Sequence, residues 1–153
     1  MATQNAGTPR HKTFEYSIST AWTRDRQGTI ASDGKPAVDV SSPPEFKGVP
    51  GIWSPEDLFV AAVDVCQMTT FLALAARAGI ILRSYTSSAR GTLEFAEGGY
   101  RFTQVALAPH IAVGPGTDSS AVEELVENAH HMCLIGRSIQ AEVSVQPTIT
   151  VEE

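Results

Sequence analysis

The sequence is poor in cysteine and in charged side chains. Only two of its 153 residues are cysteine, Cys66 and Cys133, and 18% are Asp, Glu, Lys or Arg. Two cysteines are too few for the disulfide framework that holds small secreted domains together. The 17 acidic residues against 11 basic ones give a formal net charge of -6, and no segment clusters the basic residues. Nucleic acid is therefore not an expected partner, because its phosphates would be repelled.

We expect neither a membrane-spanning run nor a targeting segment in this sequence. We expect no stretch apolar enough to span a bilayer, and hence no membrane partner. Residues 1–12 are polar and lack the apolar core of a signal peptide, so we expect a flexible N-terminal tail and a protein of the reducing cytoplasm. The length and the hydrophobic share of 42% favour a single compact domain over residues 13–153.

The order of predicted elements favours an α+β fold with antiparallel sheets. Strands are grouped rather than alternating regularly with helices, in the order βββ-α-ββ-α-β. The first three form a meander with turns at DRQG and Asp33-Gly34, and the two long central strands meet at Gly98-Gly99. The predicted strands cover residues 14–23, 29–32, 37–40, 80–97, 100–113 and 140–151.

The first predicted helix has a strong start signal. Ser54 can cap it, Pro55 suits the first helical position, and Asp57 is spaced for a capping box. The helix extends to about Gly79 and is apolar on nearly all faces, which is typical of a helix that is buried on most sides. We therefore expect another helix packed against it, including the possibility of its own copy in a dimer.

The second predicted helix carries one of the cysteines. It begins near residues 118–120, where Ser120 and Glu123 are spaced as a capping box, and it ends near Gly136. Apolar residues at helical spacing place Cys133 on its buried stripe, and Cys66 lies on the inward face of the first helix. From the residues alone, inert core packing and redox or nucleophilic chemistry are both open for these thiols.

A metal site is not favoured by the spacing of the possible ligands. His130 and Cys133 together supply only two ligands, and adjacent histidines on a helix point about 100° apart. We expect neither a metal ion nor a cofactor. The loop over residues 41–53 is rich in proline and glycine but also holds Phe46 and Trp53. It is either pinned to the core by its apolar residues or a lid over a pocket.

Two segments resemble a known family. The run WSPEDLFVAAVDVC, residues 53–66, resembles the signature of the OsmC/Ohr family of organic hydroperoxide reductases. The run NAHHMCLIGRSIQAEVSVQPTI, residues 128–149, is similar to that family's last helix, second cysteine and closing strand. The resemblance spans about residues 14–151. It implies a fold in which antiparallel sheets wrap around long central helices in an intertwined homodimer.

The resemblance also implies a function and the residues that perform it. The function is that of a peroxiredoxin-like thiol peroxidase, which reduces organic hydroperoxides to alcohols in oxidative stress defence and is recharged by a dithiol such as a lipoyl group. Cys66 matches the peroxidatic cysteine and Cys133 the resolving one. Glu56 matches a glutamate that pairs with a catalytic arginine, and Arg26 is the best match for that arginine, with Arg24 as the alternative.

An apolar surround from Phe46, Trp53 and Phe59 would favour organic hydroperoxides over hydrogen peroxide. Ten residues separate Glu56 from Cys66, about 15 Å along a straight helix. An early kink, a bridging arginine or a dimer partner would each reconcile Glu56 with a role at the thiol.

The sequence departs from the better-known family members beside both cysteines. Gln67 stands where they have an aromatic residue, and Leu134-Ile135-Gly136 replaces Pro-x-Ser. These differences indicate a divergent subgroup. They also motivate an alternative function, that of a non-enzymatic dimer of the same fold that binds a small hydrophobic ligand.

Overall fold

The computed structural model describes residues 11–153 of the chain. Most of the expected flexible tail, residues 1–10, lies outside the described part, so that expectation stays a prediction. The chain divides into two compact units, Met1–Trp53 and Ser54–Glu153. Each unit is built on its own sheet.

The first unit contains the predicted meander. Strands β1 (Ser19–Arg24), β2 (Gln27–Ala31) and β3 (Val38–Ser41) pair antiparallel in that order. The first strand begins later than predicted, at Ser19 rather than Phe14. The loop that follows β3 is anchored at its end, because the Ser41 N–H donates to the Trp53 carbonyl at 2.9 Å. It includes one 3₁₀ turn, Pro44–Phe46, where no regular structure was expected.

The sheet of the second unit is built around a long hairpin. Strands β4 (Leu82–Ala96) and β5 (Gly99–Val113) pair antiparallel along their full length. The turn is made by Glu97 and Gly98 rather than by Gly98 and Gly99, with φ values of 54° and 85°. Two consecutive residues with positive φ match the twist of the flanking strands, and glycine adopts that conformation without strain.

The predicted α+β class is confirmed, but the closing segment differs from the prediction. It forms two strands, β6 (Glu142–Val145) and β7 (Thr148–Val151), and both pair with β5 in parallel. Parallel pairing follows from the helical connection between β5 and β6, which returns the chain to the same end of the sheet. The break falls at Pro147, which has no N–H to contribute to a ladder.

Helix α1 (Pro55–Arg77) begins as predicted. The Asp57 N–H donates to the Ser54 hydroxyl at 3.1 Å, and the Ser54 N–H donates to the Asp57 carboxylate at 2.9 Å. This capping box contributes on the order of 1 kcal/mol to the stability of the helix start. The helix ends at Arg77, close to the predicted Gly79, which has the left-handed φ of 70° common just beyond a helix end.

The expectation that no apolar run reaches bilayer length is wrong for α1. By length and composition alone this helix could cross a membrane, a test that the core helix of a soluble protein also passes. Here α1 packs against a second helix and against β4 and β5. Its buried stripe is Val63, Gln67, Phe71 and Ala75, spaced by four residues. The helix therefore packs on the core of this unit along one stripe, and the expectation of a helix buried on most sides is wrong for the single chain.

Helix α2 (Ser119–Met132) differs from the prediction at both ends. Its cap is Asp118, whose carboxylate accepts from the Ser120 N–H at 3.0 Å, rather than Ser120 itself. It ends before Gly136, and Cys133 is the capping residue, with extended backbone (φ −60°, ψ 113°). The reason is that the chain turns at Cys133 into a short 3₁₀ turn, Gly136–Ser138, instead of continuing the helix.

Two apolar clusters form where the helices pack on the second sheet, one with residues of both helices and one with residues of α1 alone. One cluster is centred on Phe71, Ile111 and Val126, and the other on Val63 and Leu107. Gln67 lies between Val63 and Phe71 on the stripe of α1 and is only 1% exposed. The core is therefore continuous along α1 except at this one polar side chain.

Gly91 in β4 offers a test of how tightly α1 packs on the sheet. A Cβ atom at this position would lie 2.5 Å from Cγ2 of Val60 and 2.7 Å from Cε1 of Phe102. We expect Gly91→Ala to lower the free energy of unfolding by about 1–3 kcal/mol, through overpacking. Chemical denaturation of the purified variant measures this. Gly99→Ala is the matched control, because nothing lies within 4 Å of its new methyl group, and equal stability of both variants would contradict the packing described.

Candidate active site

The structure brings the two cysteines together from separate helices. Cys66 lies in the middle of α1 and is half-buried, whereas Cys133, at the end of α2, is 2% exposed. Both are free thiols, and an interaction between the two side chains shifts the pKa of each. Packing of α1 against α2 and against the 3₁₀ turn that follows Cys133 creates this contact.

The turn after Cys133 is closed by hydrogen bonds, one of which is made to the Cys133 sulfur. The Gly136 N–H donates to Sγ of Cys133 at 3.3 Å. On the other side of the turn, the Arg137 N–H donates to the Cys133 carbonyl at 3.0 Å, and Ser138 donates to the carbonyls of Ile135 (2.9 Å) and Leu134 (2.7 Å, from its hydroxyl). The carbonyls of Cys133, Leu134 and Ile135 are thus all hydrogen-bonded within the turn.

The surroundings of Cys66 favour its thiolate. Burial raises the pKa of the Cys66 thiol, but hydrogen bonds to the sulfur outweigh it and bring the pKa below its ordinary value. The donors are the Ile135 N–H, the Cys133 thiol, the Leu134 N–H and the Thr70 hydroxyl, in decreasing order of effect. A hydrogen bond to the charged form of a group stabilises that form. Cys66 is therefore the more nucleophilic of the two thiols.

Cys133 has the opposite tendency. Burial raises the pKa of the Cys133 thiol, hydrogen bonds from the Gly136 and Ile135 N–H groups oppose this in part, and the neighbouring Cys66 raises it further. Cys133 therefore keeps its proton at a pH where Cys66 has lost its own. Cys66 is thus the first of the two thiols to ionise, and Cys133 is the one that can donate to its thiolate.

Gln67, the residue after Cys66, links the two helices. Its Nε2 donates to the Val126 carbonyl of α2 at 3.1 Å, while its Oε1 is buried without a hydrogen-bond partner among the described residues. A buried acceptor without a hydrogen bond lowers the free energy of unfolding by about 1–3 kcal/mol. The departure from an aromatic residue at this position thus gives α1 a polar connection to the helix that carries Cys133.

Asp64 also lies close to Cys66 in sequence, but its contacts are with β4. Its carboxylate accepts from the Ser87 hydroxyl at 2.7 Å. Burial, together with the charge of Asp64, raises the pKa of Tyr85 to about 12. Asp64 is therefore hydrogen-bonded to the sheet. Asp64 and Cys66 are two positions apart on the helix, and side chains at that spacing point in different directions.

The predicted charged residues belong to the two units of the chain, Glu56 to the second and Arg24 and Arg26 to the first. Glu56 lies in the first turn of α1, and its Oε2 is buried without a partner among the described residues. Arg26, in the turn between β1 and β2, donates from Nη1 to the Phe46 carbonyl at 2.9 Å. Arg24 is the last residue of β1. Glu56 thus has an unsatisfied carboxylate oxygen that a guanidinium could fill, and the roles of all three stay predictions.

The three side chains of the predicted apolar surround also belong to different units of the chain. Phe46 and Trp53 belong to the first unit and are partly exposed. Phe59 belongs to the second unit, where its ring stacks on Phe102 with centroids 4.5 Å apart. A shared pocket from these three side chains stays a prediction.

Sequence reasoning missed the donors to Cys66. Main-chain N–H groups carry no side-chain signal, so Leu134 and Ile135 could not be identified from residue types. Thr70 could have been, because it lies four residues after Cys66 on the same helix face. Among the described residues, no three His, Cys, Asp or Glu side chains lie close enough to hold a metal ion.

Removal of Cys133 tests the hydrogen bond between the thiols. We expect Cys133→Ala to raise the pKa of Cys66, because the thiolate loses a donor, whereas Cys133→Ser keeps an O–H donor and changes this pKa less. The ultraviolet absorbance of the thiolate, followed against pH in each reduced variant, measures the difference. Identical titrations for the alanine and serine variants would show that Cys133 does not donate to Cys66.

Comparisons with known proteins agree with this architecture. A family model described as OsmC-like protein matches residues 48–148. The peroxiredoxin OsmC of Escherichia coli is 28% identical over 100 residues, which cover 65% of this chain and 68% of that protein. An OsmC-like protein of unknown function from Vibrio cholerae (27% identity, TM-score 0.83) covers 89% of this chain and all of its own. An organic hydroperoxide resistance protein from Legionella pneumophila (26% identity, TM-score 0.71) covers 92% of this chain and all of its own. With the paired thiols and the fold already described, the chain belongs to the OsmC-like family, whose relatives indicate a peroxidase-like redox role at the level of the family.

Proposed function

We propose that this protein is a cysteine-based peroxidase that reduces organic hydroperoxides to alcohols, with Cys66 as the peroxidatic and Cys133 as the resolving cysteine. The observation that carries this proposal is the contact between the two thiols, whose pKa values are shifted in opposite directions. Two inert cysteines of separate core clusters would have neither the contact nor the asymmetry. Membership of the family supports the same chemistry.

The proposed cycle balances with two thiols and one hydroperoxide. The Cys66 thiolate attacks the terminal oxygen, so that an S–O bond forms and the O–O bond breaks, and the alkoxide leaves as an alcohol after taking up a proton. Cys133 then attacks the sulfenic sulfur of Cys66, an S–S bond forms, and the hydroxyl leaves as water with the proton of Cys133. A dithiol reductant, such as a lipoyl group, exchanges with the disulfide, restores both thiols and becomes a disulfide itself.

An arginine paired with Glu56 would complete the site. A guanidinium near the thiolate polarises the peroxide and lowers the thiol pKa, and a carboxylate holds it in place. The buried, unpartnered Oε2 of Glu56 supports this pairing. Arg26 is the first candidate and Arg24 the second, from this chain or from a dimer partner.

The substrate class and the setting belong to the same proposal. Exposed apolar side chains flank both cysteines in sequence, namely Val65, Met132 and Leu134, and they favour an organic hydroperoxide over hydrogen peroxide. The outer face of α1 also leaves Ala62, Val65 and Ala73 exposed, which supports a homodimer that covers this helix. We place the protein in the cytoplasm, where free thiols are maintained.

Substitution of each cysteine tests the assigned roles. We expect Cys66→Ser to reduce consumption of cumene hydroperoxide with a dithiol donor to the uncatalysed background. Cys133→Ser should still react once but accumulate sulfenic and then sulfinic acid at Cys66, because no second thiol closes the disulfide. Intact-mass spectrometry after one equivalent of peroxide distinguishes the species. Thiols that stay unreacted in the unsubstituted protein would instead favour the non-enzymatic binding function.

Three variants test the charged residues. We expect Arg26→Ala and Glu56→Gln to lower kcat/KM for the hydroperoxide by about tenfold or more, because the developing negative charge loses its donor or the support of that donor. Arg24→Ala, only two residues away, is the matched control and should stay within about twofold. A large loss in Arg24→Ala with none in Arg26→Ala would transfer the role to Arg24.

A further inference from the structure

Gln67 is a buried polar side chain that the proposed cycle does not use. It is 1% exposed and lies between Val63 and Phe71 on the apolar stripe of α1. Its Nε2 donates to the Val126 carbonyl of α2 at 3.1 Å, whereas its Oε1 has no hydrogen-bond partner among the described residues. The amide is thus buried at the contact between the two helices that carry the cysteines.

Stability does not account for an amide at this position. The net gain from one hydrogen bond is no larger than the cost of a buried acceptor that is left unpaired. The neighbouring core residues are apolar, so an apolar side chain of similar volume, such as methionine, would be buried without that cost. The Val126 carbonyl lies inside α2, where helical pairing already provides a donor. What the amide adds is a directional bond between the two helices.

This bond lies near the thiol pair on both helices. Gln67 follows Cys66 directly in α1. Val126 and Cys133 are seven residues apart, which is about 10 Å or two turns, and both are 2% exposed on the buried side of α2. The 3₁₀ turn after Cys133 also packs against α1. Sliding of one helix along the other by one turn, about 5.4 Å, would break the bond and change the distance between the two sulfurs.

We propose that Gln67 is a positioning residue that sets the reduction potential of the Cys66 and Cys133 pair by fixing the register of α1 on α2. A disulfide forms only when both sulfurs approach to bonding distance, and a fixed register raises the effective concentration of each thiol at the other. The bond therefore favours the disulfide over the dithiol. A faster resolving step in peroxide reduction follows from this and rests on the proposed function, whereas the potential of the pair does not.

The test is the equilibrium of the full-length protein with reduced and oxidised glutathione. Two protein thiols become a disulfide and give up two electrons and two protons, with which one oxidised glutathione becomes two molecules of reduced glutathione. Alkylation of the free thiols and intact-mass spectrometry measure both forms. We expect Gln67→Met to lower the equilibrium constant for disulfide formation by about tenfold, a shift of about 30 mV toward positive potential. The denaturation midpoint of the reduced variant should equal or exceed that of the unsubstituted protein.

Two further variants separate positioning from stability. Gln67→Asn keeps the amide but is one methylene shorter, so it should lose the bond to Val126 and show the same tenfold decrease at a lower denaturation midpoint. Val63→Ala is the matched control on the same stripe, because Val63 belongs to the cluster without residues of α2. It should lower the midpoint and leave the equilibrium constant within about twofold.

Three results would overturn the proposal: an equilibrium constant for Gln67→Met within twofold of the unsubstituted value, constants that follow the denaturation midpoint across all three variants, or no disulfide between Cys66 and Cys133 in the unsubstituted protein. The measurement contains no hydroperoxide and is therefore independent of peroxidase activity. A tenfold decrease in Gln67→Met, together with no consumption of cumene hydroperoxide by the unsubstituted protein, would support the positioning role and count only against the proposed function.

Discussion

The packing of α1 against the end of α2 is the contact on which the site depends. Neither helix carries a complete redox site, because each supplies one cysteine. The apolar residues of the α1 stripe are buried against α2 and β5. Burial of apolar surface stabilises this packing but does not fix the position of one helix along the other. The hydrogen bond from Gln67 to the Val126 carbonyl fixes that position. Sliding of one helix along the other would break this bond and leave both groups of Gln67 unpaired, which fixes the register of the two sulfurs.

The asymmetry of the two thiols arises from their positions relative to that contact. Cys133 is enclosed by the core and has two main-chain N–H donors, those of Gly136 and Ile135, whereas the donors to Cys66 are two N–H groups, a thiol and a hydroxyl. Burial disfavours the anion at both sulfurs, so the number of donors decides which sulfur ionises first. Uncharged hydrogen-bond donors can therefore lower the pKa of a nucleophilic thiol without the help of a charged side chain.

Much of this arrangement could be predicted from the sequence. The remaining parts depend on tertiary contacts or on main-chain groups, which residue types do not indicate. The capping box at Ser54 was predictable because its signal is local, and the inward faces of both cysteines followed from helical spacing. The end of α2 was not, because His130, His131 and Met132 give no stop signal, and Cys133 leaves the helix to satisfy contacts with α1. The parallel pairing of β6 and β7 depends on a crossover that strand patterns do not encode. The donors from Leu134 and Ile135 are main-chain N–H groups, and the type of residue does not indicate such donors.

The parallel strands after Cys133 also bear on the order of folding. The hairpin of β4 and β5 joins neighbours in sequence, and such local contacts form quickly. Pairing of β6 and β7 with β5 must first close a loop that contains all of α2, and this closure carries the larger entropic cost. Cys133 lies inside that loop. The contact between the two sulfurs is therefore a non-local one, and a chain in which α2 has not yet packed on α1 carries two separate thiols without the reactive pair.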